Sequence, residues 1–273
     1  MIVQELCLRP VIRLAHLWSS VAIALCAGTP ANAEEAKGWT IRVGMGGKLL
    51  PKFPGADKLG LAFYPLLNAR RTGDPIKPGG PGNSPGIVLI ESGAFKFGAV
   101  GTLSADRKAK DVGAPFKSID RAIELGAFAQ YYLLPNVRVR VEARHALWAY
   151  NGWVGHVSAD YIIRDRDSYA VTIGPRLRVD GKKYMRTYFG VTPEEAALSG
   201  LSVHDPHGGF AAIGLATGLT YQFSYHWGMR ATARYERLIG DAGDSPIVQD
   251  RGSQDQFRAG LALTYTFDIG KVF

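Results

Sequence analysis

The feature that most constrains this chain is a strict alternation of apolar and polar residues in many separate segments. In residues 137–144 the odd positions are Val, Val, Val and Ala, and the even positions are Arg, Arg, Glu and Arg. Residues 219–225, 229–236 and 261–267 repeat the pattern. Successive side chains of a β-strand point to opposite faces, so each segment has one apolar and one polar face. The sequence therefore predicts an all-β fold.

The polar faces favour a transmembrane β-barrel over a water-soluble sandwich, which also alternates. Charges stand only on one face of each segment, and the segments are about 10 residues long, enough for a tilted strand to cross a bilayer. Aromatic residues near the segment ends are Trp39, Tyr131, Tyr132, Trp148, Trp153, Tyr169, Tyr225 and Trp227. The apolar faces then meet lipid, and the antiparallel sheet must close because an open edge leaves backbone groups unpaired in hydrocarbon.

Eleven candidate strands follow from this pattern, joined by tight turns that alternate with long loops. They lie at 38–48, 59–71, 86–91, 94–104, 121–133, 136–147, 152–164, 168–180, 209–224, 227–238 and 256–267. Bacterial single-chain barrels normally have an even number of strands. We therefore expect a closed barrel of ten to twelve strands, with ten if 86–104 is a single strand and twelve if one strand has been missed. Residues 72–85 are rich in Gly and Pro and form a loop, whose side of the membrane the sequence does not fix.

The first 33 residues have the three parts of a secretory signal peptide. Arg9 and Arg13 supply the positive charge, residues 14–28 are apolar, and residues 31–33 put small side chains before the cleavage site. We therefore expect residues 1–33 to be removed after export through the general secretory route.

Cleavage before Glu34 leaves a single domain, 34–273, without a cysteine, since Cys7 and Cys26 both lie in the removed segment. The whole chain carries a net charge of +8. Export argues against nucleic acid as the partner of this basic protein, and favours outer-membrane lipid and lipopolysaccharide.

The polar faces carry charged residues that we expect to point into the barrel. They are Arg138, Arg140, Glu142, Arg144, Arg176, Arg178, Asp180, Arg230, Arg234 and Glu236. Side chains can fill a barrel of this size, so these residues predict a packed ion-pair network in the lumen. The alternative is a narrow pore that favours anions, because arginine outnumbers the acidic residues on these faces.

Two loops contain residue types that occur in catalytic or metal sites. The loop at 190–208 contains Ser202, His204, Asp205 and His207. Their spacing matches neither a hydrolytic nor a zinc motif, and indicates a polar external loop.

The loop at 239–255 contains Asp241, Asp244 and Asp250, which lack the regular spacing of a dedicated calcium site. We expect Asp241 and Asp244 to accept backbone N–H bonds, and Gly240 and Gly243 to adopt left-handed backbone. We therefore predict no catalytic residues, no metal and no cofactor.

The same two loops also contain motifs that resemble those of a known family. The first motif comprises Tyr188, Phe189, Gly190, Val191 and Thr192, and the second comprises Gly240, Asp241, Asp244, Ser245 and Pro246. With the closing Tyr265, Thr266 and Phe267, they resemble the MipA/OmpV family of outer-membrane proteins.

This resemblance implies a barrel in the outer membrane of a Gram-negative-type cell, expected to be a monomer. It also implies a non-catalytic scaffold, because the family's namesake is proposed to link a lytic transglycosylase to a penicillin-binding protein during murein growth. Other members are described as porin-like. The alternative function is therefore a small-solute porin with a basic lumen.

Overall fold

The computed structural model describes residues 38–74, 76, 78–165 and 168–270, and the predicted signal peptide lies outside these ranges. Eleven strands are present in the described residues: β1 Trp39–Pro51, β2 Leu59–Arg71, β3 Gly86–Ser92, β4 Phe95–Leu103, β5 Ile123–Leu134, β6 Val137–Ala146, β7 Trp153–Asp165, β8 Tyr169–Asp180, β9 Gly209–Gln222, β10 Trp227–Leu238 and β11 Asp255–Ile269. The five short helices are α1 Ala109–Val112, α2 Lys182–Phe189, α3 Pro193–Ser199, α4 Gly240–Gly243 and α5 Pro246–Arg251. Each strand begins and ends within three residues of its predicted range.

All eleven strands form one antiparallel sheet, which confirms the all-β prediction. The strand order is β2-β1-β11-β10-β9-β8-β7-β6-β5-β4-β3. Trp39 in β1 pairs with Ile269 in β11, so the first and last strands are neighbours. The tight turns, such as 223–226, lie at this end of the sheet, which we call the short-turn end. The long connections 104–122, 181–208 and 239–254 lie at the opposite, long-loop end.

The sheet curls so that its polar face encloses a filled interior and its apolar face is exposed. In β6, Glu142 is 3% exposed while its neighbour Val141 is 48% exposed. Ile173, Leu215 and Leu261 are likewise exposed on the outer face of β8, β9 and β11. This arrangement is the reverse of a water-soluble protein, where large apolar side chains are mostly buried.

The eleven strands of the described residues lie within the expected ten to twelve, although the preference for an even number is not met. Gly93, at φ 55°, makes a turn that separates β3 from β4, so 86–104 is not one strand. β2 ends at the short-turn end, yet β3 begins at the long-loop end. The connection at 72–85 therefore runs from the short-turn end to the long-loop end. Because this connection makes one of the crossings in place of a strand, the sheet has an odd number of strands although β1 begins and β11 ends at the same end.

β2 and β3 are the two edges of the curled sheet and run in the same direction. No ladder joins them within the described ranges, where every ladder is antiparallel. Where the structure describes helices, none has both the length and the apolar character to cross a membrane.

Candidate functional site

Residues 72–85, of which the structure describes all but 75 and 77, are called the crossing segment, and the described ones pass through the interior of the curled sheet. The backbone N–H of Thr72 donates to Gly38 O at 2.8 Å at the short-turn end. Pro85 O accepts from the backbone N–H of Gly101 at 3.0 Å near the long-loop end. The crossing segment thus occupies the space that a pore would need.

Side chains on the inner face of the sheet hold the crossing segment along its length. Arg138 donates to Pro78 O at 2.7 Å, and Arg176 donates to Pro81 O at 3.1 Å. Ser84 receives a hydrogen bond from Arg144 at 2.7 Å and donates its backbone N–H to the carboxylate of Glu142 at 3.2 Å. The interior arginines therefore satisfy backbone carbonyls that the segment would otherwise bury unpaired.

The Gly and Pro content of the crossing segment fits this position. A Cβ on Gly80 would lie 2.9 Å from an oxygen of Asp160, and a Cβ on Gly82 would lie 2.4 Å from a nitrogen of Arg234. Gly82 also has a φ of +86°, which favours glycine. Proline has no backbone N–H and so adds no donor that the interior must satisfy.

Asp160, in β7, sits at the centre of the ion pairs around the crossing segment. One of its oxygens accepts from Arg138 at 2.6 Å, and the other accepts from Arg176 at 2.5 Å. All three side chains are buried. Charge-assisted bonds of this kind are stronger than neutral ones, and they fix the orientation of the two guanidinium groups.

A second group of ion pairs runs along β6. Glu142 accepts from Arg140 at 2.7 Å and from Arg144 at 2.9 Å, because residues two apart share a face of the strand. Arg144 also pairs with Glu124 of β5 at 2.9 Å. The guanidinium of Arg140 stacks 3.6 Å from the ring centroid of Phe128.

The remaining ion pairs lie on β8, β10 and β11. Arg178 donates to Asp180 at 2.8 Å, and Arg234 pairs with Glu236. Arg258 reaches the same Glu236 at 3.1 Å. Nine of the ten charged residues expected to face the lumen are thus ion-paired there, and the tenth, Arg230, contacts Gly79 O of the crossing segment at 3.4 Å.

Sequence reasoning missed three members of this network: Glu124, Asp160 and Arg258. Each lies on the polar face of a predicted strand, so the alternation contained the signal. The charged residues singled out came from the strands with the densest runs of arginine, whereas each of these three has no charged residue two positions away on its own strand. Asp160 shares its face with Ser158, and Arg258 with Gln256.

The long-loop end is closed by a packed cap of aromatic and aliphatic side chains. Tyr150, Tyr184 and Tyr188 contact one another with ring centroids 4.5–5.8 Å apart. Tyr150 donates its hydroxyl to Glu124 at 2.5 Å and so ties the cap to the ion pairs below it. Phe53, Phe116, Leu201 and Ile247 form a further buried cluster above the sheet.

The two family-like motifs meet inside this cap. Ser245, fully buried, donates its hydroxyl to the carbonyl of Phe189 at 2.7 Å. Tyr188, Phe189 and Val191 are also buried. Gly190 ends α2 where a Cβ would lie 2.4 Å from Arg186 O, so a close backbone approach requires glycine.

The starts of two helices and two contacts of Asp241 order these loops. Thr192 forms a capping box at the start of α3 with Glu195, and Pro246 begins α5. Asp241 accepts the backbone N–H of His207 at 2.6 Å, as predicted for this residue. His204 contacts Asp241 O at 2.9 Å. These contacts join the loop at 190–208 to the loop after β10.

The backbone prediction for the second motif is half correct. Gly240 has a φ of +53°, in the left-handed region, as expected. Gly243 lies in α4 without a positive φ, so the expectation of left-handed backbone there is wrong. A Cβ on Gly243 would lie 2.7 Å from Leu238 O, so steric crowding accounts for this glycine. Asp244 follows α4, and its backbone N–H donates to Gly240 O at 2.9 Å.

Burial in the cap shifts the pKa values of its titratable groups. Burial raises the pKa of Tyr188 to about 12. The pKa of Arg107, whose guanidinium donates to Tyr188 O at 2.7 Å, is lowered to about 10 by burial. At the exposed rim, the backbone N–H of His207 lowers the pKa of Asp241. The cap tyrosines therefore stay neutral and the rim carboxylate stays charged near neutral pH.

Several outer-membrane barrels of known structure resemble this chain at low sequence identity. The NanC porin is 7% identical, with a TM-score of 0.39, and the match covers 83% of this chain and 98% of that chain. OmpT of Vibrio cholerae is 10% identical, with a TM-score of 0.36, and the match covers 87% of this chain and 100% of that chain.

Similarity in sequence is closer. The chain is 33% identical over 100 residues to the MltA-interacting protein of Escherichia coli (strain K12) and to that of Shigella flexneri. The match spans 36% of this chain and 38% of each relative. A family model described as MltA-interacting protein MipA matches residues 43–267, which include all eleven strands in whole or in part. The chain therefore belongs to the MipA family, in agreement with the resemblance of its loop motifs.

Proposed function

We propose that this chain is a non-catalytic outer-membrane protein whose interior is closed to solutes and which serves as a scaffold for cell-wall enzymes. The observation that carries the proposal is the filled interior: the crossing segment and its ion pairs occupy the lumen, and the aromatic cap covers the long-loop end.

The distribution of apolar side chains supports a location in a bilayer. Exposed leucine, isoleucine and valine cover the outer face of the sheet, while charged groups are buried inside. Exposed aromatic residues flank this apolar band at both ends, as in the girdles of membrane barrels. They are Trp39, Tyr131, Tyr221, Trp227 and Tyr265 at the short-turn end, and Trp148, Trp153, Tyr235 and Phe257 at the other. Lipid and lipopolysaccharide are the partners that such a surface fits.

The alternative function, a porin with a basic lumen, needs a continuous water path. The interior arginines have the charge for anion selection. However, most of them are bonded to carboxylates or to carbonyls of the crossing segment. Conduction would require these bonds to break, so the filled interior favours a scaffold.

Single-channel recording separates the two functions. The purified mature protein, inserted into planar bilayers, is expected to give no conductance steps in potassium chloride. A matched preparation of a known open porin shows that insertion works. Regular, anion-selective steps from the wild-type protein would favour the porin.

The proposed partners are a lytic transglycosylase and a penicillin-binding protein, following the name MltA-interacting protein of the relatives and the expectation from the family resemblance. In outer-membrane barrels the short turns face the periplasm, where these enzymes work. Tyr225, 67% exposed in the turn between β9 and β10, is a prominent side chain of this surface.

A pull-down in mild detergent tests the scaffold. The immobilised mature protein is expected to retain a lytic transglycosylase from the same cell. Tyr225→Ala should weaken retention, while Trp148→Ala, which removes an exposed aromatic side chain at the long-loop end, should leave it unchanged. If the wild-type protein retains neither enzyme, the scaffold function is wrong, whatever the conductance.

A further inference from the structure

The two edge strands of the curled sheet, β2 and β3, are poorly covered. None of the thirteen residues of β2 is buried, and all seven residues of β3 are exposed. Val88 in β3 lies opposite the buried Gly98, on the face that points to the interior, yet it is 48% exposed. Each edge also carries a row of backbone N–H and C=O groups that no ladder among the described residues pairs. Hydrocarbon offers such groups no hydrogen-bond partner, so an open edge in a bilayer is strongly disfavoured.

The sequence of β3 is typical of a strand that is covered on both faces. Residues 87–90 are Ile, Val, Leu and Ile, four large aliphatic side chains in succession, whereas β6 alternates valine with charged residues. Near-continuous apolar runs are characteristic of strands in parallel pairs, which are buried on both faces. In β3 these four side chains are 48–64% exposed. They therefore lack the cover that their sequence favours.

β2 and β3 have the relative direction and the connection that a parallel pair requires. Both strands begin at the long-loop end and end at the short-turn end. Two parallel strands cannot be joined by a tight turn and need a crossover of a dozen or more residues. The crossing segment joins these two strands and has fourteen residues, which is enough for such a crossover. Eleven strands that are otherwise antiparallel can moreover close into a barrel only through one parallel pair.

Aligning the short-turn ends of β2 and β3 gives a register in which the outer faces of the two strands agree. Ser92, the last residue of β3, then lies beside Arg71, the last residue of β2. Ile90 falls beside Ala69, and both of these side chains are exposed on the outer face. A register shifted by one residue would instead place an outward side chain beside an inward one.

Two irregularities of the edge strands fit this register. The bulge at Leu89 takes up one residue of β3, so Ile87 falls beside Leu67 and the outer faces still agree. Counted in this way, β3 covers β2 only from Leu66 to its end. Pro65, which has no backbone N–H to donate, lies just outside the covered part, at a position where a sheet edge tolerates proline.

Given the bilayer location on which the proposed function rests, we propose that β2 and β3 pair in parallel in the membrane and close the sheet into an eleven-stranded barrel. The backbone groups of the two edges then satisfy each other, and the aliphatic side chains of β3 lie between lipid and the interior. The crossing segment remains inside as the connection of the pair. The partner of the β3 edge is thus β2 of the same chain, and not a second copy of the protein.

Cysteine cross-linking in isolated outer membranes tests this seam. The expected mature chain has no cysteine, since Cys7 and Cys26 lie in the predicted signal peptide. The double variant Ala69→Cys/Ile90→Cys, treated with a short bismaleimide, is expected to form a cross-link within one chain, because neighbouring strands lie about 5 Å apart. Trypsin cleaves between the two positions, so mass spectrometry identifies the two joined peptides.

Two further pairs that share Ala69→Cys serve as controls. Ala69→Cys/Ile41→Cys joins residues that lie opposite each other in β2 and β1, and it gives the reference yield. Ala69→Cys/Ile173→Cys, whose second position is on the distant strand β8, should give no cross-link. If Ile90→Cys does not assemble, Leu67→Cys/Ile87→Cys tests the same register at a second position.

A cross-link within the chain, at a yield comparable with that of the reference pair, supports the parallel seam. A covalent dimer on a denaturing gel would assign the β3 edge to a second copy. Loss of the cross-link in both seam pairs, beside a normal reference yield, would show that the edges stay apart. Either of these results overturns the seam and leaves the bilayer location intact. Absence of the protein from the outer-membrane fraction would overturn the bilayer location, and the seam with it.

Discussion

At the scale of single residues, the face of the sheet on which a side chain lies decides whether that side chain can carry a charge. Inside, a charge is accompanied by an opposite charge or by carbonyl oxygens, as Asp160 is by two arginines. Outside, a side chain such as Val141 lies opposite Ala129 and Val157 of the neighbouring strands, which cannot compensate a charge. Placing a charged residue on the outer face should therefore lower the free energy of unfolding, because an unpaired charge in an apolar medium is strongly disfavoured.

Val141→Arg tests the facing of the sheet. Val141 lies near the middle of β6 on the outer face. Arginine facing lipid at the bilayer midplane costs about 2–4 kcal/mol, so folding into lipid vesicles should weaken by that amount in a denaturant titration. Leu133→Arg, close to the turn after β5, is the control and should cost only about 0–1 kcal/mol. Equal stability of Val141→Arg and wild type would place this face away from lipid.

Asp241 predicts a pH dependence at the rim of the cap. Its pKa is lowered by the backbone N–H of His207, so the folded pKa lies below the unfolded value of about 3.9. The stabilisation is complete above that unfolded value and is lost as pH falls through the folded pKa. The amide proton shift of His207 in an NMR titration should thus show an acid step whose midpoint lies below about pH 3.9.

The control for this titration is Asp241→Asn, which removes the carboxylate but retains an oxygen acceptor. In that variant the step with a midpoint below about pH 3.9 should be absent. A midpoint at or above the ordinary value for aspartate would show that the bond does not favour the charged form.

At the scale of elements, the crossing segment accounts for both the odd number of strands and the filled interior. It runs from the end of β2 to the start of β3, past arginines of β6, β8 and β10. Its glycines fit where larger side chains would collide with Asp160 and Arg234. The segment and the interior surface are therefore matched in size.

Gly80→Leu tests this match. The added side chain would crowd Asn83 and Asp160, and overpacking of this kind typically costs about 1–3 kcal/mol. The midpoint of chemical unfolding should fall accordingly. Gly270→Leu, with no heavy atom within 4 Å of the added Cβ, should unfold like the wild type. If both variants match the wild type, the crossing segment does not pack against the ion pairs.

At the scale of the whole molecule, the protein combines a curled sheet, an internal segment and a cap formed by the loops. The two family motifs lie about fifty residues apart in sequence, yet Ser245 and Phe189 join them by a buried hydrogen bond. The motifs thus build the cap, and the strands supply the surface below it. The crossing segment fills the interior and the cap covers one end of it, which is why we propose a scaffold and not a pore.

The predicted signal peptide belongs to this scale, because it decides which part of the chain reaches the membrane. The apolar segment 14–28 and the small residues at 31–33 predict cleavage before Glu34. Intact-mass measurement of the protein from outer membranes should give a chain that begins at Glu34. A mass that includes residues 1–33 would contradict the prediction.

The sequence by itself determined the strands and which residues lie on the same face of each strand. Alternation is a local property, since the side chain of each strand residue points opposite to that of the next, and no distant contact is needed to read it. The motifs at 188–192 and 240–246 likewise identified the family from short stretches of chain.

The tertiary structure alone decided the path of residues 72–85, the partners of the interior arginines and the meeting of the two motif loops. These features depend on which distant segments come together once the sheet curls. The composition of a segment does not specify its distant contacts. A Gly- and Pro-rich stretch has the same sequence signature in a surface loop as in a crowded interior. It lies inside here because its carbonyls complete the hydrogen bonds of buried arginines.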